Sequence, residues 1–524
     1  MEIQLHNIGV IQDASIKLDG LTVITGKNET GKTTVGKALY ALIDAVSDLP
    51  EKAKMDRNAY LKNCLFNLVD RSNLFLSFRM RSDRETYNSD ENNMLVDYPA
   101  LLNLSIRSRF HKILESNTDL EKFAREVEKD LIAYQQHLNS DEDKVKRDLA
   151  VRNYAYQIIL AQNSQKGESS AVTEKTIDSL ISSGVRAMNN QISSHIQDLE
   201  KMLVAVNQDP ELIHYAKESI RQTLNAEFSD QIQPVNDTEK QSAIQLTDEE
   251  NVYFDIVIQK NRVANDNVFF HSPFKDVYMV DDPFILDSLS PRIEYVHFWE
   301  GDNLFNNSST RSSIDKDGFL KPTEIKNHRD RLSDLLHDLP HISVLEQTIL
   351  NTTLRPVTEK MDQVLPGTFN FEEEYYIRED GTKLRISNLA AGSKMFSIVK
   401  LLLEHGLLNE DTLLILDEPE TYLHPEWQNQ FAEIIVLLVK ELRVKVLLTT
   451  HSSNFMLAID AYMRKYEIND VSNFYHTRQL ENGFVVHDCV NDNMEEIYGD
   501  FLDYLSEAKV LRDRYLTDDE EEIW

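Results

Sequence analysis

The chain predicts an α/β fold in which a sheet carries a phosphate-binding loop near its start and is completed only after a large, mainly helical insertion. Three observations lead there. The apolar run Leu21-Thr22-Val23-Ile24-Thr25 ends in Gly26-Lys27-Asn28-Glu29-Thr30-Gly31-Lys32-Thr33 and passes into helix-forming residues from Thr34 to about Val46, the strand–loop–helix setting that cradles phosphate. Far downstream, Asp411-Thr412-Leu413-Leu414-Ile415-Leu416-Asp417-Glu418 reads as a strand buried on both faces and ending in two carboxylates. Asp417 follows Lys32 by 385 residues, far more than a compact nucleotide-binding core needs, so the core must be split.

The chemistry follows from residue types. Backbone N–H groups from Gly26 to Thr34 and the helix N-terminus supply donors for the phosphates of ATP, and Lys32 adds a point charge. Thr33 and Asp417 are the expected ligands of Mg2+, and Glu418 is expected to orient or deprotonate the attacking water.

Composition narrows the class. The 524 residues suffice for two or three domains. Cys64 and Cys489 show no metal-ligand spacing, which points to a reducing compartment without structural zinc. Met1-Glu2-Ile3-Gln4-Leu5 lacks a basic leader, and the run from Phe431 to Val439 is too short to span a bilayer, so a cytoplasmic protein with no membrane partner is expected. The 55 basic and 88 acidic residues give a net charge of −33, which disfavours indiscriminate binding to nucleic acid or anionic membranes.

Taken in order, residues 2–25 suggest strands at Ile3–Ile8, Ala14–Leu18 and Leu21–Thr25, with Asp19-Gly20 as a hairpin turn between the last two. Residues 1–46 form the first part of the head, and 47–270 the insertion. Phe66–Leu68 and Leu74–Phe78 could add strands. From about 100 to 250 the pattern is helical: Leu120, Phe123, Val127, Leu131, Tyr134 and Leu138 form one stripe, and Ile177 to Leu203 a second, either side of a turn at Ser164–Ser170. A short antiparallel coiled-coil arm and a helical bundle both fit these stripes. The pattern returns to strands at Val252–Ile258, still within the insertion, and the second part of the head is expected over 271–480, with a strand at Asp276–Val280, a polar loop at Asn303–Gly318, a helix from Leu332 to Leu350 and a hairpin turn at Asp380-Gly381.

Three further motifs complete the pattern. Asn388-Leu389-Ala390-Ala391-Gly392-Ser393-Lys394 opens a helix and presents backbone donors to an anion. Trp427–Leu442 reads as a helix. Val444–Thr450 reads as a buried strand capped by His451, where a γ-phosphate sensor would sit. In the segment 481–524, Ile497, Phe501, Tyr504, Leu505, Ala508 and Leu511 share a helical face that could pack on the head or dock a partner, before an acidic tail.

With these motifs in order, the chain resembles the ABC-type ATPase heads of the SMC, RecF and overcoming-lysogenization-defect group. The resemblance covers residues 1–46 and 275–480 and implies a homodimer, or a higher even-numbered homo-oligomer, whose two heads sandwich two ATP molecules. Lys32, Thr33, Asp417, Glu418 and His451 would act in cis, Ala391, Gly392 and Ser393 in trans, and Glu420 and the adjacent loop would lie across the seam. More narrowly, Ser387-Asn388-Leu389-Ala390-Ala391-Gly392, Asp417-Glu418-Pro419-Glu420-Thr421-Tyr422-Leu423-His424-Pro425 and Thr449-Thr450-His451-Ser452 look like the ATPase subunits of Septu-type anti-phage systems. Those ATPases work with a separate HNH-type nuclease and, in retron-linked versions, with a reverse transcriptase and its RNA and DNA.

The chain departs from the family pattern in three places. Ala390-Ala391 stand where a serine commonly precedes the signature glycine, which points to slow turnover. The strand expected to lead to a magnesium-contacting glutamine ends in Asp281-Asp282-Pro283. No second carboxylate set follows His451, so a nuclease is expected on another chain. The first expectation is therefore an ATPase that controls a partner nuclease; its rivals are a DNA repair or chromosome-maintenance clamp and a nucleotide-gated scaffold.

Overall fold

The computed structural model describes residues 1–58, 120–139, most of 186–204, 212–234, 240–264, 272–289, 326–340, 342–343, 354–370, 375–495 and parts of 497–514. The chain divides into two compact units: Met1–Leu49, Leu212–Gly301 and Glu324–Trp524 form the first, and Pro50–Glu211 with Asp302–Thr323 the second.

The first unit is built on one large sheet. Its strands are β1 (Glu2–Ile8), β2 (Ile11–Lys17), β3 (Leu21–Thr25), β4 (Ser242–Thr247), β5 (Val252–Gln259), β6 (Arg262–Val263) and β7 (Asp276–Val280). A separate three-stranded sheet holds β8 (Gly367–Asn370), β9 (Tyr375–Arg378) and β10 (Lys383–Arg385), after which β11 (Thr412–Asp417), β12 (Lys445–Thr450), β13 (Ser472–Gln479) and β14 (Val485–Cys489) return to the large one. The order in the large sheet is β6-β5-β4-β1-β2-β14-β13-β3-β12-β11-β7.

Its two sides differ as their sequences require. β3, β12, β11 and β7 run parallel, and β3, β11 and β12 are buried almost throughout. Antiparallel β1 and β2 alternate buried and exposed positions, as a sheet with one wet face must.

The helices are α1 (Lys32–Val46), α2 (Leu120–Leu138) in the second unit, α3 (Leu212–Phe228), α4 (His328–His337), α5 (Arg355–Val364), α6 (Ala391–Glu404), α7 (Pro425–Leu442) and α8 (Ser453–Lys465). Leu401, Phe431, Ile434, Leu438 and Phe455 from α6, α7 and α8 pack on Leu414, Leu416 and Leu448 of the parallel strands in one continuous core. On α2, Phe123, Val127 and Leu131 of the anticipated stripe are buried. No helix among the described residues is long and apolar enough to cross a membrane.

Several expectations need correction. Asp19-Gly20 does not close a hairpin: β2 pairs with β14 and β3 with β13 and β12, because a strand as apolar as β3 is buried only between two other parallel strands. Residues 242–247 are strand rather than helix, with buried and intermediate positions alternating along them. The head therefore resumes at Leu212, not after 270, and β14 extends it past 480. α4 begins at His328, before the expected Leu332, and ends at His337; residues 344–350 of the expected helix lie outside the described residues. Ile497 is in the core whereas Val510 and Leu511 are exposed. The strands at Phe66–Leu68 and Leu74–Phe78, the turn at Ser164–Ser170, the loop at Asn303–Gly318 and Cys64 lie outside the described residues.

Candidate functional site

Strand order decides where the motifs meet. β3 delivers the phosphate loop, and its parallel neighbours β12 and β11 end beside it, with Thr25 level with Thr450 and Asp417 level with Thr449. Gly26 leaves β3 at φ +153 and lies so close to β13 that a Cβ there would stand 1.7 Å from Thr477 Oγ1. Thr477 Oγ1 in turn donates to Thr30 Oγ1 at 2.8 Å, and Thr30 bonds the Lys27 carbonyl. Gly31, at φ 78, is the N-cap of α1 and makes no side-chain cap, so its first N–H groups remain open to an anion.

Lys32 is buried, and its Nζ donates to the carbonyls of Gly26 (3.1 Å) and Lys27 (2.7 Å) and lies 3.3 Å from Glu418 Oε1. Thr33 Oγ1 donates to Asp417 Oδ2 at 2.7 Å, while Thr449 Oγ1 donates to Asp417 Oδ1 at 2.6 Å and accepts from the Glu418 N–H at 3.0 Å. Burial pushes the Asp417 pKa up, against the opposing pull of its two hydroxyl donors. Glu418 adopts the left-handed conformation, φ 47 and ψ 49, a strain of about 1–3 kcal/mol that persists at functional turns. This turn places its carboxylate between Lys32 and His451, whose Nδ1 is 3.2 Å from Glu418 Oε2.

A cavity of about 720 Å³ opens over these groups, lined by Asn28–Thr34, Asp417 and Glu418, a volume suited to a nucleotide-sized ligand. Asp417, half-buried, has no Lys or Arg partner among the described residues, and its carboxylate is compatible with a bound cation. No group of three or more His, Cys, Asp or Glu side chains among the described residues could hold a metal unaided. That fits magnesium held by Thr33, Asp417 and the nucleotide's own phosphates.

Ala391, Gly392 and Ser393 stand apart from that cavity. They open α6 behind Ala390, an N-cap with no side-chain bond. Gly392 is buried against the chain after β11, where a Cβ would sit 3.0 Å from the Tyr422 carbonyl and 3.2 Å from Leu423 Cδ2. Glu420 is not on an exposed seam: it is buried, accepting from Thr450 Oγ1 (2.5 Å) and the His451 N–H (3.2 Å), and burial raises its pKa.

Asp281 directly follows β7, whose last residue Val280 is level with Leu416. There it meets Arg329 (2.7 Å) and His328 Nε2 (3.0 Å), while His328 Nδ1 is 2.7 Å from Glu227. Burial works against charge on His328, yet the two carboxylates hold its pKa up at about 9; Asp281, despite burial, is held down at about 2 by His328 and Arg329.

Sequence reasoning missed Thr449 and Thr477, which brace Asp417 and the phosphate loop. The doublet Thr449-Thr450 before His451 was the available signal for the first; nothing local marks the second.

A parallel core with a phosphate loop, an adjacent acidic strand end and a separate signature helix defines an ABC-type P-loop ATPase head. The model of the AAA ATPase domain family matches residues 1–456, and the chain belongs to that family. It is an ATPase. No curated protein matches the sequence.

Among solved structures, the SMC head domain from Thermotoga maritima is 15% identical over 28% of this chain and 52% of that one, with a TM-score of 0.20. An Smc head bound to the C-winged helix domain of ScpA is 9% identical, with 93% and 96% covered and a TM-score of 0.33. An Smc head with an extended coiled coil bound to the C-terminal domain of ScpA, from Pyrococcus furiosus, is 10% identical, with 95% and 98% covered and a TM-score of 0.27. Likenesses this weak say nothing about function.

Proposed function

We propose that the chain is the ATP-hydrolysing subunit of an anti-phage defence complex, in which two heads close on ATP and govern a separately encoded HNH-type nuclease. The observation that carries the catalytic part is the convergence of Lys32, Thr33, Asp417, Glu418 and His451 from three neighbouring strand ends. The defence part rests on the resemblance of the signature, acidic-strand and His451 phrases to Septu-type ATPases, and a retron-encoded reverse transcriptase would be a further partner.

In this reading the phosphate loop and α1 N-terminus bind the triphosphate, and Lys32 moves from its carbonyl partners to the outer phosphates. Thr33 and Asp417 would hold magnesium, which supplies charge neutralisation when bound. Glu418 takes the proton of the attacking water, and His451, beside it, faces the γ-phosphate. The open N–H groups of α6 from a second copy complete the charge stabilisation.

The test is a tagged pull-down from the native host with ATP and magnesium, followed by mass spectrometry. A stoichiometric small nuclease supports the reading. Duplex DNA with no protein partner would replace it with a DNA-clamping repair factor.

A further inference from the structure

The cavity extends beyond the groups that fit a triphosphate. Besides the phosphate loop and the acidic pair, it is lined by Gly9 and Val10 from the β1–β2 turn, by Lys37 of α1, and by Glu227, Phe228, Ser229 and Gln231 at the end of α3 and in the chain that leaves it. Strand order separates its two ends: β11, with Asp417, lies on one side of β3, whereas β2 lies on the other. Val10 flanks the loop directly, since a Cβ on Gly31 would be 3.1 Å from Val10 Cγ2. A nucleotide whose last phosphate meets Glu418 therefore has its nucleoside toward Val10 and Phe228.

The backbone of that end is already fixed. The Gly9 N–H donates to the Ile232 carbonyl at 2.9 Å, and the Gln231 N–H to the Phe228 carbonyl at 2.9 Å. Asn261 Oδ1 accepts from the N–H groups of Ile232 (3.0 Å) and Gln233 (2.8 Å), and Lys37 Nζ donates to the Glu227 carbonyl at 3.3 Å. Ser229 and Asp230 are both left-handed, at φ 50 and 62, which turns the chain sharply away from the helix.

Four side chains on this frame make no hydrogen bond or ring contact among the described residues. Ser229 and Gln231 are exposed, and their side chains bond nothing among the described residues; the half-buried Phe228 ring meets no other aromatic ring there; Val10 is 41% exposed. A hydrogen-bonded backbone that offers an aromatic ring, an exposed valine and two exposed hydrogen-bonding side chains suits a flat heterocycle and its sugar.

We infer that Val10 and Phe228 enclose the base of the bound nucleotide and that Ser229 and Gln231 meet its sugar or base edge. This rests on the reading that the phosphate loop holds ATP. It makes the segment after α3, the helix with which the head resumes after the insertion, part of the nucleotide site.

Calorimetric titration with magnesium–ATP and, separately, magnesium–tripolyphosphate tests it, because only ATP carries a nucleoside. Phe228→Ala should weaken ATP on the order of tenfold or more, as loss of a base–aromatic stack does, while tripolyphosphate affinity stays within about twofold of wild type, that ligand having nothing to stack. Phe228→Trp should retain ATP, and Gln231→Ala should cost about threefold to fivefold, one hydrogen bond's worth. Should Phe228→Ala fail to melt cooperatively, Val10→Ala reads the same wall. Unchanged ATP affinity in the folded variants, or equal loss of both ligands, overturns the inference. Binding of neither ligand by the wild-type protein brings down the phosphate-loop reading and this one with it.

Discussion

Two helices of the head, α1 and α6, begin without a side-chain cap, and their surroundings are very different. α1 begins behind Gly31 at φ 78, beneath a loop braced by Thr477, with Lys32 buried behind it and Asp417 and Glu418 beside it. α6 begins behind an extended Ala390 with no side-chain cap, with Lys394 of its first turn paired to Asp287 and Gly392 pressed on the Tyr422 carbonyl. Both ends carry the same backbone dipoles, so the difference lies in what surrounds them. Residues of α1 line the cavity beside Asp417 and Glu418, whereas the first residues of α6 do not. The contrast teaches that Gly392 is required here first for packing.

Lys32→Ala should break the α1 side most severely, lowering ATP affinity on the order of a hundredfold by calorimetry, because it removes a buried cation facing the phosphates. Glu418→Gln should leave binding intact and lower steady-state turnover about a hundredfold, with ATP-bound dimer accumulating in light scattering. Equal turnover by the two proteins would remove Glu418 from the role of base.

On the α6 side the expected effects shrink. Gly392→Ala crowds a backbone carbonyl at 3.0 Å and should cost about 1–3 kcal/mol in urea unfolding, while monomeric ATP affinity is retained. Ala391→Ser supplies a hydroxyl at the open helix end and should raise turnover up to about fivefold, the worth of one hydrogen bond; no change would show that the backbone alone suffices.

The smallest effect concerns how α3 is held. His328 joins Glu227 at the end of α3 to Asp281. Its pKa is raised to about 9 in the folded protein, so its contribution is full below the ordinary histidine range and is lost as pH rises through about 9. The melting temperature should therefore fall by about a few degrees between pH 7 and pH 10, and His328→Gln should flatten that slope.

Legibility followed the range of the interactions. The phosphate loop and the strand ending at Asp417 were readable because each binds through consecutive backbone groups or adjacent side chains, so the chemistry is written within a few residues. β4 was readable too, since Ile244 and Leu246 alternate with intermediate positions, yet a long stretch poor in Gly and Pro favoured a helix. Glu420 was misplaced because an acid after a carboxylate pair gives no local sign that Thr450 and the His451 backbone will enclose it. Phe228 and Val10 carried no signal at all: their residue types are ordinary, and only folding brings a turn at residue 10 to a helix exit at 228.

The sequence by itself determined the local chemistry: a phosphate loop, a buried acidic strand and a histidine after the next strand, each dictated by residue type and spacing. Tertiary structure decided which strands became neighbours, so that β3 lies between β12 and β13 rather than in a hairpin with β2. It also decided that the head resumes at Leu212 and that the chain leaving α3 walls the cavity. The physical reason is that strand pairing and burial are settled by total apolar area removed from water across the whole unit, a quantity that no short window of sequence contains.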